Sequence, residues 1–327
     1  MCPTATVPAA SCATSSRSVL LLIDPQNDFC DLPATASGTP ALPVAGADAD
    51  MRRVADLIER GGTGLDDIVI TLDSHHRVDI AHPTFWRTGD GGAVAPFTAI
   101  TAAQVRAGAF VPAAVVQGRE GAEGQGAVQA GVPGQSPADA TVLPRVLAYL
   151  DALEAQGRYS LMVWPVHCEI GSWGHNVHRA VRTAYNQWED RRLRQVLKVT
   201  KGDNPWTEHY SALQAEVPDA DDAATWLNRS LLARLDAYDT IWIAGEASSH
   251  CVKATVEHLA DHLPSLLPSG HLEKLVLLTD GMSPVGGFEA QAADFMARMR
   301  QRGARTATCA QALAVLTQRS RAVAASA

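Results

Sequence analysis

The chain has 327 residues, enough for one large domain or two modest ones. Hydrophobic residues make up 46% and charged residues 19%, a globular balance that excludes a disordered chain. Its 27 Lys and Arg stand against 35 Asp and Glu, a formal net charge of -8 that points away from nucleic acid or an anionic membrane as partner. No apolar run approaches the roughly 18 residues that a membrane-spanning helix needs. Residues 1–17 are rich in Ala, Ser, Thr and Pro and lack the basic-then-apolar pattern of a signal peptide. Cys2, Cys12, Cys30, Cys168, Cys251 and Cys309 are scattered with no CxxC pair, and they read as reduced thiols of a cytoplasmic protein.

In chain order, strand-length apolar runs alternate with helical patterns. Ser18–Asp24 reads as a strand, and a helix over Asp48–Arg60 is stopped by Gly61 and Gly62. Further strands are expected at Asp67–Leu72, Ser160–Trp164, Gln195–Val199, Thr240–Ala244 and Lys274–Leu278. Helices are expected at Val146–Gln156, Val177–Leu193, Ala223–Leu235, Ser249–Leu263 and Gly287–Arg302. Continuously apolar strands alternating with helices predict an α/β fold: an open parallel sheet of about six strands with helices on both faces. Its site is expected at the C-terminal strand ends. Between Arg87 and Ala140 periodicity is lost, with six glycines between Gln117 and Ser136. That stretch reads as an insertion or lid, or equally as a flexible surface excursion.

Five polar clusters fall at or just beyond the expected strands. Asp24 ends the first strand, where partial burial raises a carboxyl pKa and suits proton transfer; a turn-capping Asp is the plain alternative. Asp73 and His75 project on one side of extended backbone and suit a borderline metal, with His76 and His82 following; solvated loop histidines are the alternative. Trp164-Pro165-Val166-His167-Cys168 supplies a distant histidine, a flat apolar wall and a second thiol. Lys201-Gly202 ends another strand, where a lysine can stabilise a thiolate or oxyanion. Cys251 falls in the first turn of a helix after the Gly245–His250 turn, where unpaired N–H groups and the helix dipole favour thiolate. His250 and His258 leave open a Cys–His pair, and an inert buried cysteine is the plain alternative.

Together the segments LLIDPQNDF, DSH, WPVHC, TKG and GEASSHCV, in that order, resemble the isochorismatase-like cysteine hydrolases, specifically the nicotinamidase branch. The resemblance runs from Ser18 to about Arg302, apart from the insertion. It implies a Rossmann-like isochorismatase-like hydrolase fold and a triad of Asp24, Lys201 and Cys251. It also implies metal ligation by Asp73, His75 and His167, with His82 the nearest fourth ligand. The metal would be zinc by family habit and ligand type, with iron and manganese as alternatives. Phe29 and Trp164 would flank the substrate ring, and His250 would alter the pocket wall. The N–H groups of Ala247 and Cys251 would form an oxyanion hole, and the Glu246–Ala247 peptide would be cis. The implied activity is metal-assisted hydrolysis of nicotinamide, or a similar small amide, through a Cys251 thioester. Another small amide, a carbamoyl or maleamate-like compound, is the alternative, and a non-catalytic ligand-binding homologue the third reading. Family habit adds a homo-oligomer. Two departures stand out: Ser248, Ser249 and His250 occupy the place of the usual Thr-Asp-aromatic run, and the insertion is long. The expected organisation is a disordered segment over 1–17, a hydrolase domain over 18–318 with its insertion at 87–140, and a mobile tail over 319–327.

Overall fold

The computed structural model describes residues 16–115, 137–263 and 272–326. Six parallel strands form the main sheet: β1 (Ser18–Ile23), β2 (Asp67–Asp73), β7 (Leu197–Lys201), β8 (Thr240–Gly245), β9 (Leu275–Leu278) and β10 (Arg305–Ala307). Their order is β10-β9-β8-β1-β2-β7. The chain moves from β1 to one side through β2 and β7, then crosses to β8 on the other side. The strand order therefore reverses at the β8/β1 pair, where an open α/β sheet leaves a crevice at its C-terminal edge. All residues of β1, β2 and β9 are buried, as their unbroken apolar runs require.

Helix α1 (Ala47–Gly61) buries Met51, Val54, Ala55, Leu57 and Ile58 and leaves Arg52 and Arg53 outward. It packs against α4 (Arg179–Arg192) and α8 (Cys309–Ser326). Helices α5 (Arg229–Asp236), α6 (Cys251–His262) and α7 (Glu289–Gln301) contribute to the same large core. Every residue of α6 from Cys251 to Ala260 is buried, so this helix runs through the interior from the crevice. Among the described residues no helix is long and apolar enough to cross a membrane. Cys30, Cys168, Cys251 and Cys309 are free and buried.

Four expectations need correction. The Ser160–Trp164 strand is real but is not in the main sheet: β6 (Leu161–Val163) pairs antiparallel with β4 (Thr98–Ile100). The sixth parallel strand is instead β10, three residues on the sheet edge, too short and too exposed to show a pattern. The helix expected over Ala223–Leu235 is a 3-10 turn at Ala223–Thr225 followed by α5, because Asn228 caps the new helix by accepting the Leu231 N–H at 2.9 Å. The tail expected from residue 319 is the last part of α8. Arg319 ties it to the Gly64 carbonyl and, at 2.5 Å, to Asp66.

The described part of the insertion is ordered by a second core. Strand β3 (Trp86–Thr88) pairs antiparallel with β5 (Phe110–Pro112), α2 (Ala102–Arg106) follows β4, and α3 (Pro137–Gln156) lies across them. Trp86, Ile100, Val146, Leu150, Leu153 and Val163 fill this core. Its strands are three residues long, and apart from the helix legible over Val146–Gln156 its apolar residues come from short pieces that carry no period. Residues 116–136, the glycine-rich stretch, and residues 1–15 lie outside the described part.

Candidate active site

Four neighbouring strand ends converge on one point. Asp24 follows β1, and Asp73 and Lys201 close β2 and β7 as directly opposed partners of the parallel ladder. The turn after β8 leads into Cys251, the first residue of α6. Gly245 ends β8 at φ +125, and a Cβ there would lie 1.9 Å from the Ile23 carbonyl oxygen, so no side chain fits between β8 and β1 at this point. Asp24 itself is held at φ 45, a left-handed conformation that non-glycine residues adopt rarely and at a cost. The Glu246–Ala247 peptide is cis.

Lys201 lies at the centre. Its Nζ stands 2.9 Å from Asp24 Oδ2, 2.9 Å from Asp73 Oδ1 and 3.6 Å from Cys251 Sγ. The contact to Asp24 is an ion pair without hydrogen-bond geometry, since Oδ2 has no hydrogen-bond partner. The other Asp24 oxygen accepts from Thr71 Oγ1 at 2.5 Å. Thr71 and Asp73 sit two apart on β2 and so share a face. All four charged or reactive groups are buried, so each sets its neighbours' protonation. Burial alone would lower the Lys201 pKa, but Asp24 and Asp73 outweigh it and hold the ammonium well above its ordinary value. For Asp73 burial pushes up, and His75 and Lys201 win, keeping the carboxylate ionised. For Asp24 burial wins over Lys201, and its pKa rises. Burial also pushes the Cys251 thiol well above its ordinary range; Lys201 opposes this and Asp24 adds to it. Burial at this position therefore opposes the thiolate that the helix start favours, and Lys201 is the group that works against burial.

Next to this group, His75, His82 and His167 bring one ring nitrogen each within 4.8 Å of one another, all buried. Asp73 Oδ2 joins them, 3.1 Å from His75 Nε2 and 3.3 Å from His167 Nε2. Each histidine has its Nδ1 beside an oxygen: Asp79 Oδ2 at 3.1 Å for His75, the His76 carbonyl at 3.2 Å for His82, the Pro165 carbonyl at 2.8 Å for His167. An Nδ1–H donated to oxygen would leave Nε2 as the lone-pair nitrogen that metal-binding histidines use; at His75, burial is outweighed by Asp73 and Asp79, which raise its pKa well above the ordinary value, so an ion there would displace its proton. His75 Nε2 is buried with no hydrogen-bond partner. Burial, with His167 and His75 adding to it, lowers His82 to about 3, so its ring is neutral and its lone pair free to bind a cation. Donor set, tautomers and the orphaned nitrogen fit a borderline divalent cation on Asp73, His75, His82 and His167. His76 is exposed and pairs with Asp203 instead.

These groups open on a narrow cavity of about 20 Å³ whose walls include Phe29, Trp164, Tyr210, His250 and Glu208. The Trp164 indole donates to the Tyr210 hydroxyl at 3.0 Å, and His250 meets Trp164 edge-on at 5.1 Å between ring centres. Ser249 Oγ accepts the Val285 N–H at 3.1 Å and shares a hydrogen bond with His250 Nδ1 at 2.9 Å. Burial lowers His250 to about 3, and it is neutral. The rival Cys–His pair is not formed: His250 is held by Ser249 and His258 by Arg158, the latter at 2.7 Å. Among the described residues the N–H groups of Ala247 and Cys251 donate to no acceptor, as the first turn of a helix allows. Cys168 does not line the cavity; it is fully buried, its carbonyl receives the His75 N–H at 3.0 Å, and burial with Asp73 and Asp28 raises its thiol pKa.

Sequence reasoning missed Thr71, Asp79, Glu208, Tyr210 and the bracket made by Gln26, whose amide donates to the Asp73 carbonyl and accepts its N–H, each at 2.7 Å. Thr71 was detectable as the lone polar residue within an apolar strand, two before Asp73. Glu208 and Tyr210 lie in a long polar loop after β7, and no spacing marks them.

No protein-family model matches the chain, and no curated protein matches it. Solved structures do. The yeast nicotinamidase Pnc1p is 18% identical at a TM-score of 0.54, covering 88% of this chain and 98% of its own. A nicotinamidase/pyrazinamidase from Acinetobacter baumanii is also 18% identical at 0.54, covering 91% and 98%. PnC1 from L. infantum, solved with nicotinate, is 18% identical at 0.51, covering 91% and 96%. The chain has the α/β fold that these nicotinamidases share, and it spans nearly the whole of each.

Proposed function

We propose that the chain is a cysteine amidohydrolase of the isochorismatase-like family, nicotinamidase-like, which converts nicotinamide or a similar small amide to the carboxylic acid and ammonia. The observation that carries this reading is Lys201 Nζ within 2.9 Å of Asp24 and 3.6 Å of Cys251, at the edge of an aromatic-walled cavity. Asp24 takes the Cys251 proton as the sulfur attacks the amide carbon, and the Lys201 ammonium offsets the negative charge that forms. The tetrahedral oxyanion is received by the Ala247 and Cys251 N–H groups. Asp24 returns its proton to the departing nitrogen, so ammonia leaves and a thioester remains. Water then adds to the thioester with Asp24 accepting its proton. Collapse releases the acid, and the proton goes back to sulfur. Phe29, Trp164 and His250 hold the planar substrate. A divalent ion on Asp73, His75, His82 and His167, zinc by preference over iron or manganese, would supply Lewis acidity towards a substrate donor atom.

Ammonia release from nicotinamide by zinc-loaded protein, beside a Cys251→Ala control, tests the reading. Release that falls by about a thousandfold or more in the control is expected. Release that persists in the control would remove Cys251 from the mechanism. A silent wild-type protein that hydrolyses carbamoyl or maleamate-like amides instead would keep the chemistry and replace the substrate.

A further inference from the structure

Glu208 is a buried carboxyl group in the cavity that the hydrolytic steps do not use, and burial raises its pKa to about 7. Its oxygens are unlike. Oε1 accepts the His209 N–H at 3.0 Å, whereas Oε2 is buried with no partner among the described residues. The backbone around it is fixed: its N–H donates to Tyr149 Oη at 3.3 Å, and its carbonyl accepts the Glu216 N–H at 2.9 Å. The group is therefore placed by design of the fold, not left loose at a rim. A buried acceptor without a donor is destabilising until something donates to it. Nicotinamide carries its two N–H bonds on the amide nitrogen that the reaction engages, and its ring offers no further nitrogen-borne hydrogen.

We propose that Glu208 is a specificity-determining residue, and that the substrate class is a small planar amide bearing a second nitrogen-borne hydrogen-bond donor, an amino or cationic nitrogen, which pairs with Glu208 Oε2. The inference rests on the amidohydrolase reading of the same site and narrows its substrate. Glu208 contacts the substrate away from the scissile bond, so it acts on selection and not on the cleavage steps.

The test compares nicotinamide derivatives aminated at each ring position with the methyl derivatives at the same positions, which match the amino group in size and lack its protons. Measured at pH 8, above the value of about 7 to which burial raises Glu208, the aminated compound at the favoured position should exceed its methyl partner in kcat/KM by about tenfold to a hundredfold, the worth of one hydrogen bond to a charged group. Glu208→Gln supplies the sharper reading. Because His209 N–H holds one oxygen, the glutamine amide oxygen takes that place and its NH2 takes the place of Oε2, turning an acceptor into a donor. The ratio should then fall to one or below in a variant whose far-UV spectrum and melting are those of the parent. A wild-type ratio near one at every position, or a ratio that Glu208→Gln leaves unchanged, overturns the assignment. If no compound yields ammonia, the hydrolase reading fails by itself. The same pairs titrated calorimetrically into Cys251→Ala protein still report the ratio as dissociation constants. A preference there that vanishes in the double variant upholds Glu208, and its absence overturns it.

Discussion

Two regions of this molecule handle buried polarity in opposite ways. At the strand ends, charged groups from four segments are sunk together, and each is tolerable because of the others: Lys201 between Asp24 and Asp73, Asp73 between Lys201 and the histidines. In the second core, Trp86, Leu150, Leu153 and Val163 pack as apolar side chains, and a polar atom such as the Trp86 indole N–H is settled locally on the Ile80 carbonyl at 2.7 Å. The first region concentrates reactivity and depends on charge balance. The second supplies packing, and through the Tyr149 hydroxyl it also holds Glu208 at the cavity wall. Stability can thus be lowered in the second core with reactivity kept, whereas the charged centre carries both.

The largest effect expected is at Lys201. Lys201→Met strips the ammonium from two buried carboxylates, and breaking a buried pair in this way costs about 3–5 kcal/mol. Urea unfolding should read that loss, and ammonia release should fall with it. A loss under about 1 kcal/mol would mean that Asp24 and Asp73 do not depend on Lys201. Trp86→Ala is the counterpart in the second core: a loss of about 3–5 kcal/mol in stability, with turnover of the remaining folded protein kept. Turnover lost in parallel with a small stability change would break the separation of the two regions.

Smaller effects sharpen the histidine half. Asp79→Asn keeps the shape but removes the carboxylate that orients His75 through Nδ1. Zinc affinity in a chelator competition should fall about 10–100-fold; an unchanged affinity would show that His75 is oriented without Asp79. The gentlest prediction concerns acid. His250 titrates near 6.5 when exposed, and burial holds it neutral down to about 3. Between those values the unfolded chain binds a proton that the native state refuses, so stability present above pH 6.5 declines as pH falls. Replacing the ring in His250→Phe should flatten that acid limb in pH-dependent urea unfolding. An identical slope in parent and variant would exclude His250 as its source.

The candidate site groups were legible because each follows a strand whose apolar run is plain in sequence: Asp24 after SVLLLI, Asp73 after DIVITL, Cys251 after the TIWIAG strand and its turn. What those residues are to one another was not legible. Asp73 and Lys201 are 128 residues apart, and parallel register alone makes them partners. The cysteine's helix-start position favours a thiolate, yet burial, which no local pattern encodes, pushes its pKa the other way.

By itself the sequence determined the alternation of strand and helix, hence the parallel sheet, the edge on which chemistry collects, and the residue types gathered there. Local patterning carries such information because period and burial are properties of single elements. The tertiary structure alone decided that the insertion builds a core of its own, that the sixth strand is the short β10, and that Ser160–Trp164 serves the insertion. It also decided that Glu208 reaches the cavity. Each of these depends on contacts between pieces too short to carry a period, so each is fixed by packing at a distance and not by any stretch of chain.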